Sequence, residues 1–134
     1  MVDLLRRALG ATIGWSGILP DERDQVAAKI AELAEQKVDL IVTVGGTGCG
    51  PRDVTPEATK SVIDREAPGL AEAMRAASAQ ITNKALLQRG VCGTRGGSLI
   101  INLPGSPRGA VENLSVILPP IAHAVALLQG RDVH

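Results

Sequence analysis

Aromatic residues are almost missing from this chain: Trp15 is the only one among 134 residues, with no phenylalanine and no tyrosine. A core must then be built from leucine, isoleucine, valine and alanine, and the stacking platforms that hold single-stranded nucleic acid are excluded. Cysteine is nearly as scarce. Cys49 and Cys92 are far apart and form no C-x-x-C pair, so reduced cytoplasmic thiols are expected, with neither a disulfide framework nor a zinc site. An excess of one charge is absent too: 14 basic side chains face 14 acidic ones, and the basic footprint of a nucleic-acid binder is missing. No apolar run approaches the roughly 20 residues of a membrane helix, so no membrane partner is expected. The opening residues 1–10 are too short and too charged after their start for a signal peptide. An apolar content of 45% fits a single domain, taken as residues 1–134, with an ordinary core.

Glycine, by contrast, is plentiful, with 15 residues, and several gather where apolar runs end. Leu40-Ile41-Val42-Thr43-Val44 reads as a strand buried on both faces, as inside a parallel sheet. It stops at Gly45-Gly46-Thr47-Gly48, small residues that allow a sharp turn and a close approach of backbone N–H groups to a ligand. Cys49-Gly50-Pro51 prolong the loop, and Arg52-Asp53 set a cation beside a carboxylate. A helix then opens with Thr55 as N-cap, Pro56 in the first position and Glu57 at the positive end. Donors thus collect at the carboxyl end of a strand, where open α/β sheets bind anions. The run lacks the GK[ST] ending of a P-loop and the G-x-G-x-x-G of a dinucleotide fold. Glycines alone would be satisfied by a plain turn with a surface ion pair. Together with Arg52, Asp53 and a capped helix they point to a phosphate site, with Gly45, Gly46, Thr47, Gly48, Arg52 and Thr55 as its candidate contacts.

Elsewhere, helical spacing over Val2–Leu9 predicts a helix stopped by Gly10. Residues 12–19 read as a strand with polar interruptions, ended by Pro20-Asp21. A second helix opens at Asp21-Glu22-Arg23-Asp24, its stripe running through Val26, Ile30 and Leu33. Helices are predicted over residues 55–66 and 70–79, with a short one within 81–89. Residues 90–94 and Ser98–Leu103 read as a hairpin turning at Arg95-Gly96-Gly97, and residues 110–128 as the last helix. Alternating strands and helices imply an α/β fold of three layers: a mostly parallel sheet flanked by helices, with a small antiparallel hairpin. After the second apolar strand, Pro104-Gly105-Ser106-Pro107-Arg108-Gly109 is either a second phosphate loop or a simple turn.

The run GGTGCGPRDVTPEAT, then Pro68-Gly69, Met74-Arg75, Arg89-Gly90 and Asn102-Leu103-Pro104-Gly105-Ser106-Pro107, resembles the MogA/MoaB family of molybdenum-cofactor biosynthesis domains over about residues 3–130. Pro51-Arg52-Asp53-Val54-Thr55-Pro56 is nearer to its molybdopterin adenylyltransferase branch than to its degenerate one. The resemblance implies a trimeric α/β enzyme that uses ATP and Mg2+ to attach AMP to the terminal phosphate of molybdopterin. It implies that Asp53 and Asp21 serve the metal and catalysis, although Asp21 alone would equally suit a helix N-cap. Arg89, Asn102, Pro104, Gly105 and Ser106 fall on the implied pterin side, and a protein that inserts molybdate is an implied partner. Two alternatives stand beside this reading: a non-catalytic homologue that binds pterin, nucleotide or partner proteins, and a domain acting on another nucleotide.

The sequence departs from the family pattern in three places. The usual opening strand and Ser-Asp-rich loop are not found ahead of Val2, so a sheet one strand short with an exposed edge is expected. Asn83 and Gln88 replace a usual proline and serine. His123 reads as a packing or surface residue, Cys49 as a small loop residue, and Lys84 and Arg95 as contacts to a phosphate or pterin carbonyl or as solvated charges. His134 carries no signal.

Overall fold

The strand Ser98–Leu103 (β4) is buried at all six positions and forms the centre of the sheet. The computed structural model describes residues 1–130, and His134 lies outside them. In chain order the elements are α1 (Val2–Leu9), α2 (Arg23–Glu35), β1 (Leu40–Val44), α3 (Thr55–Lys60), β2 (Arg65–Glu66), α4 (Pro68–Ala79), a 3₁₀ turn (Asn83–Leu87), β3 (Cys92–Arg95), β4 and α5 (Pro107–Leu128). Local chemistry sets several of these limits. Gly10 ends α1 in the left-handed conformation, at φ 63°. Ser106 caps α5 by accepting the Gly109 N–H, and Pro107 follows in the first turn.

The sheet runs β1-β4-β3-β2. Only β1 and β4 are parallel, whereas β3 is antiparallel to β4 and β2 antiparallel to β3. The expectation of a mostly parallel sheet is therefore corrected: the sheet is mixed and mostly antiparallel. Parallel neighbours need a crossover of a dozen or more residues. The β1-to-β4 connection has that length, but β3 and β4 are joined only by Gly96-Gly97, with Gly96 at φ 56°. β2 comes from residues 65–66, which the periodicity assigned to the helix over 55–66; that helix stops at Lys60. β2 can approach because Gly93 has no side chain: a Cβ there would lie 2.6 Å from the Arg65 carbonyl oxygen.

A second correction concerns residues 12–19, which form no strand and take part in no backbone–backbone hydrogen bond among the described residues. They link helices on opposite faces of the sheet as irregular surface chain, with Ile18 100% exposed. Among the described residues no strand pairs with the outer edge of β1. Its bracketing bonds, Leu99 N–H to Asp39 O and Gly45 N–H to Leu103 O, use odd-numbered residues. Leu40, Val42 and Val44 accordingly direct their backbone groups away from β4.

Two apolar clusters hold the three layers together. On one face, Leu99, Ile101 and Leu103 pack with Leu5, Met74, Leu114, Ile117 and Ile121. On the other, Ile41 and Ile100 meet Val26, Ile30, Leu33 and Ala58. Contrary to the expectation that no apolar run approaches that length, α5 is long and apolar enough to cross a membrane by length and composition. Its stripe of Ala110, Leu114, Ile117 and Ile121 is instead buried against the sheet and its neighbouring helices.

Candidate phosphate-binding site

Because β1 and β4 are parallel neighbours, the loops that follow them emerge side by side. A Cβ on Gly45 would lie 3.7 Å from the Gly105 Cα, so the two backbones nearly touch. Gly45 and Gly46 both have positive φ, 98° and 69°. Any side chain at Gly46 would also meet Thr55 Oγ1, 2.3 Å from the Cβ position. Thr55 itself is buried, and its N–H donates to Gly46 O at 3.1 Å. It is the first residue of α3, with Val54 in the N-cap position and no side-chain cap, so the expected Thr55 cap is displaced by one residue.

The carboxylate of Asp53 folds back over the loop. Gly50 N–H donates to Asp53 Oδ2 at 2.8 Å, and Asp53 N–H donates to Gly50 O at 3.0 Å. A Cβ at Gly48 would stand 2.9 Å from the same carboxylate oxygen, so glycine makes the room that Asp53 occupies. Among the described residues Oδ1 has no hydrogen-bond partner. A hard carboxylate oxygen free beside exposed loop backbone fits magnesium, which takes one or two carboxylates together with phosphate oxygens. Arg52 is exposed and belongs to none of the ion pairs found among the described residues. Asp21 is exposed ahead of α2, and no hydrogen bond or ion pair joins it to the glycine loop. No group of three or more metal-ligating side chains exists among the described residues.

The second loop bounds a cleft of about 320 Å³ with the 3₁₀ turn. Thr82, Lys84, Gln88, Pro104, Ser106 and Asn113 contribute to its lining. Gly105 and Ser106 are exposed and Pro104 is half-buried. Arg108 reaches Glu112, one turn along α5, at 2.9 Å.

The glycine loop is braced by residues 87–89. Thr47 donates its hydroxyl to Gln88 Oε1, Arg89 N–H donates to Thr47 O at 2.8 Å, and the Cys49 thiol faces Leu87 O at 3.4 Å. The Arg89 guanidinium makes four hydrogen bonds to protein. Nε donates to Gly48 O at 2.8 Å, one terminal nitrogen to Glu57 Oε2 at 2.6 Å, and the other to Asp53 O at 2.8 Å and Glu57 Oε1 at 3.3 Å. The hydrogen bond from Arg89 holds the Glu57 carboxyl below its ordinary value, and Glu57 raises Arg89 in return.

Asn102, 2% exposed, is equally committed to protein partners. Its amide nitrogen donates to Thr43 Oγ1 at 2.9 Å and Thr59 Oγ1 at 3.0 Å, and its oxygen accepts the Val91 N–H at 3.0 Å. The sequence reading missed Glu57 as the partner of Arg89, and Thr43 and Thr59 as partners of Asn102. Glu57 carried the signal of a helix-end acid only; Gln88 was visible as a departure from the family pattern, but not as the partner of Thr47.

Comparison with known proteins agrees with this geometry. The family model described as "Probable molybdopterin binding domain" matches residues 1–123. The Molybdopterin adenylyltransferase of Helicobacter pylori strain J99 is 43% identical over 115 residues, covering 85% of this chain and 65% of that protein. Gephyrin of Dictyostelium discoideum is 44% identical over 114 residues, 85% of this chain but 16% of its own length. The chain thus spans less than two thirds of these curated relatives. The crystal structure of the molybdopterin biosynthesis enzyme MoaB from Thermus thermophilus superposes with a TM-score of 0.87 at 43% identity, covering 99% of this chain and 86% of that one. With the family model matched across most of its length and these motifs set on one sheet edge, the chain belongs to the MogA/MoaB family of molybdenum-cofactor biosynthesis domains.

Proposed function

We propose that this domain transfers AMP from ATP to the terminal phosphate of molybdopterin with the aid of Mg2+, as a nucleotidyltransferase of molybdenum cofactor biosynthesis. The observation that carries the reading is the pair of abutting loops at the carboxyl ends of β1 and β4, one of them holding the Asp53 carboxylate over its own backbone. The relative in Helicobacter pylori bears the corresponding name.

In this reading the backbone N–H groups of Gly45, Gly46, Thr47 and Gly48 hold the ATP phosphates, buried Thr55 supports them from below, and exposed Arg52 faces the departing pyrophosphate. Asp53 and Asp21 would hold magnesium, which would supply charge neutralisation at phosphate oxygens. Pro104, Gly105 and Ser106, with the cleft beside them, receive the pterin, and Asn102 orients that side from the core. A molybdopterin phosphate oxygen attacks the α-phosphorus, a new P–O bond forms, and the bond to pyrophosphate breaks. The chain's own part is positioning and electrostatic complement. The proposed setting is the cytoplasm, as a homotrimer that hands its product to a molybdate-inserting protein. Light scattering tests the assembly; a stable monomer at micromolar concentration would count against it.

A second reading is a homologue that binds these ligands without reacting them. It is favoured by the position of Asp21 next to a segment with no backbone hydrogen bonds and without a bond to the loop. Asn substitution at Asp53 or at Asp21 preserves shape and removes one charge. Each variant is expected to fold and bind molybdopterin, and to form adenylylated molybdopterin slower by a factor on the order of a hundred. Equality of both variants with an active wild type refutes the metal assignment. Ligand binding by wild type with no transfer at all selects the second reading.

A further inference from the structure

We propose that Arg89 is a positioning residue, which fixes the glycine loop and the Asp53 carboxylate through protein hydrogen bonds, and that it makes no contact with the pterin. The proposal deepens the reading above and rests on it for its kinetic readout alone. The geometry is specific. Gly48 O and Asp53 O stand at the two ends of the most exposed part of the loop, where Cys49, Gly50, Pro51 and Arg52 are all exposed. Arg89 donates to both of these oxygens from one planar group. Within residues 48–53 the cross-bonds are the two between Gly50 and Asp53, which set a local turn, while the Thr55 N–H holds Gly46 O at the base of the loop and the Cys49 thiol faces Leu87 O. Arg89 ties that stretch to the domain, because two further hydrogen bonds of the same guanidinium are made to Glu57 of α3.

The backbone of Arg89 is held as well. Its N–H donates to Thr47 O, and neighbouring Gln88 accepts from the Thr47 hydroxyl. The residue therefore grips the loop at 47, 48 and 53. Asp53, whose carbonyl oxygen accepts from Arg89, is also the residue whose carboxylate crowns the loop, so displacing the guanidinium displaces the carboxylate. Charge points the same way. Glu57 lies against the guanidinium at 2.6 Å, so a protein carboxylate already partners its charge. Only a rigid fork can serve such divergent acceptors; a lysine ammonium, a compact point charge, cannot reach all of them together.

The test compares wild type with Arg89→Lys and Glu57→Gln, the second a mild surface change in case the first folds poorly. Hydrogen exchange is followed at the Gly50 and Asp53 amides, the hydrogen-bonded ones of this stretch, with Gly50 as the reporter of the Asp53 carboxylate. Both variants are expected to exchange faster there, by about tenfold or more for Arg89→Lys, while the β4 amides stay protected. In AMP transfer, Arg89→Lys should lower kcat by a factor on the order of a hundred, the scale of a small misplacement, with the KM for molybdopterin nearly unchanged. Glu57→Gln should shift kcat in the same direction by less. Unchanged loop exchange in both variants overturns the proposal whether or not the wild type transfers AMP. A raised KM for molybdopterin in Arg89→Lys beside a wild-type Glu57→Gln overturns it as well, since that is the signature of direct pterin contact. An inactive wild type with faster loop exchange in the variants leaves the positioning role standing and removes only the proposed reaction.

Discussion

Asn102 donates to Thr59 Oγ1 at 3.0 Å and so ties the central strand β4 to the helix that follows the glycine loop. The same side chain reaches Thr43 on β1 and the Val91 backbone. One buried amide therefore joins four separate pieces of chain behind the site. Replacing it leaves three polar groups to find new partners in the interior. Asn102→Leu is expected to cost about 3 kcal/mol, since each buried group left without a partner costs roughly 1–3 kcal/mol. Urea denaturation measures this, and a loss below about 1 kcal/mol would mean that the network contributes little.

At Gly46 two penalties coincide, a positive φ of 69° and a Cβ position 2.3 Å from Thr55 Oγ1. Gly46→Ala should destabilise the domain by about 2 kcal/mol, within the range of backbone strain at one residue. Adding Thr55→Ala removes the colliding oxygen and should return part of that loss, leaving the φ component. If the double variant is no more stable than the sum of its single changes, the contact is not the cause.

Acid should weaken the bracing of the loop. The Glu57 carboxyl is held low by the hydrogen bond from Arg89, so its contribution is fully present above its ordinary value of 4.5 and is lost as pH falls through the lower folded value. Thermal melts of wild type and Glu57→Gln should differ by a steady margin from about pH 7 to about pH 5 and converge in stronger acid. A margin that widens on acidification would contradict the assignment.

The two thiols should separate cleanly in reactivity. Cys92 is 1% exposed, and burial pushes its thiol up to about 11, whereas Cys49 is exposed in the glycine loop. Iodoacetamide at about pH 8 is expected to label Cys49 in the native protein and Cys92 only in denaturant, because the thiolate is the reactive form. Peptide mapping reads the result; comparable native labelling of Cys92 would show that its surroundings open readily.

Much of the framework was legible because it rests on local chemistry. The amphipathic stripes of α1 and α2, the Gly10 stop and the Ser98–Leu103 run all carry signals within a few residues. Strand direction carries no such signal. Leu40–Val44 reads as a strand from a parallel sheet because it is apolar on both faces, and its pairing with β4 is parallel, but that pattern carries no information on the pairs beyond β4, which are antiparallel. β2 has two residues, too few to show any period. Within the site, the glycine loop was legible as a continuous motif. The Arg89–Glu57 and Asn102–Thr59 partnerships were not, because they join residues 32 and 43 positions apart, and a residue's type says nothing about which distant partner it will meet.

The near contact of Gly45 with Gly105 has a thermodynamic consequence. With no side chain between them, the backbones of the loops after β1 and β4 share one van der Waals boundary, and neither can advance without pressing on the other. Filling one side of the proposed site should therefore alter affinity on the other, and linkage makes the effect mutual: whatever factor ATP imposes on molybdopterin binding, molybdopterin imposes on ATP. The two substrates of the proposed transfer would thus sense one another through a pair of glycines before any bond between them forms.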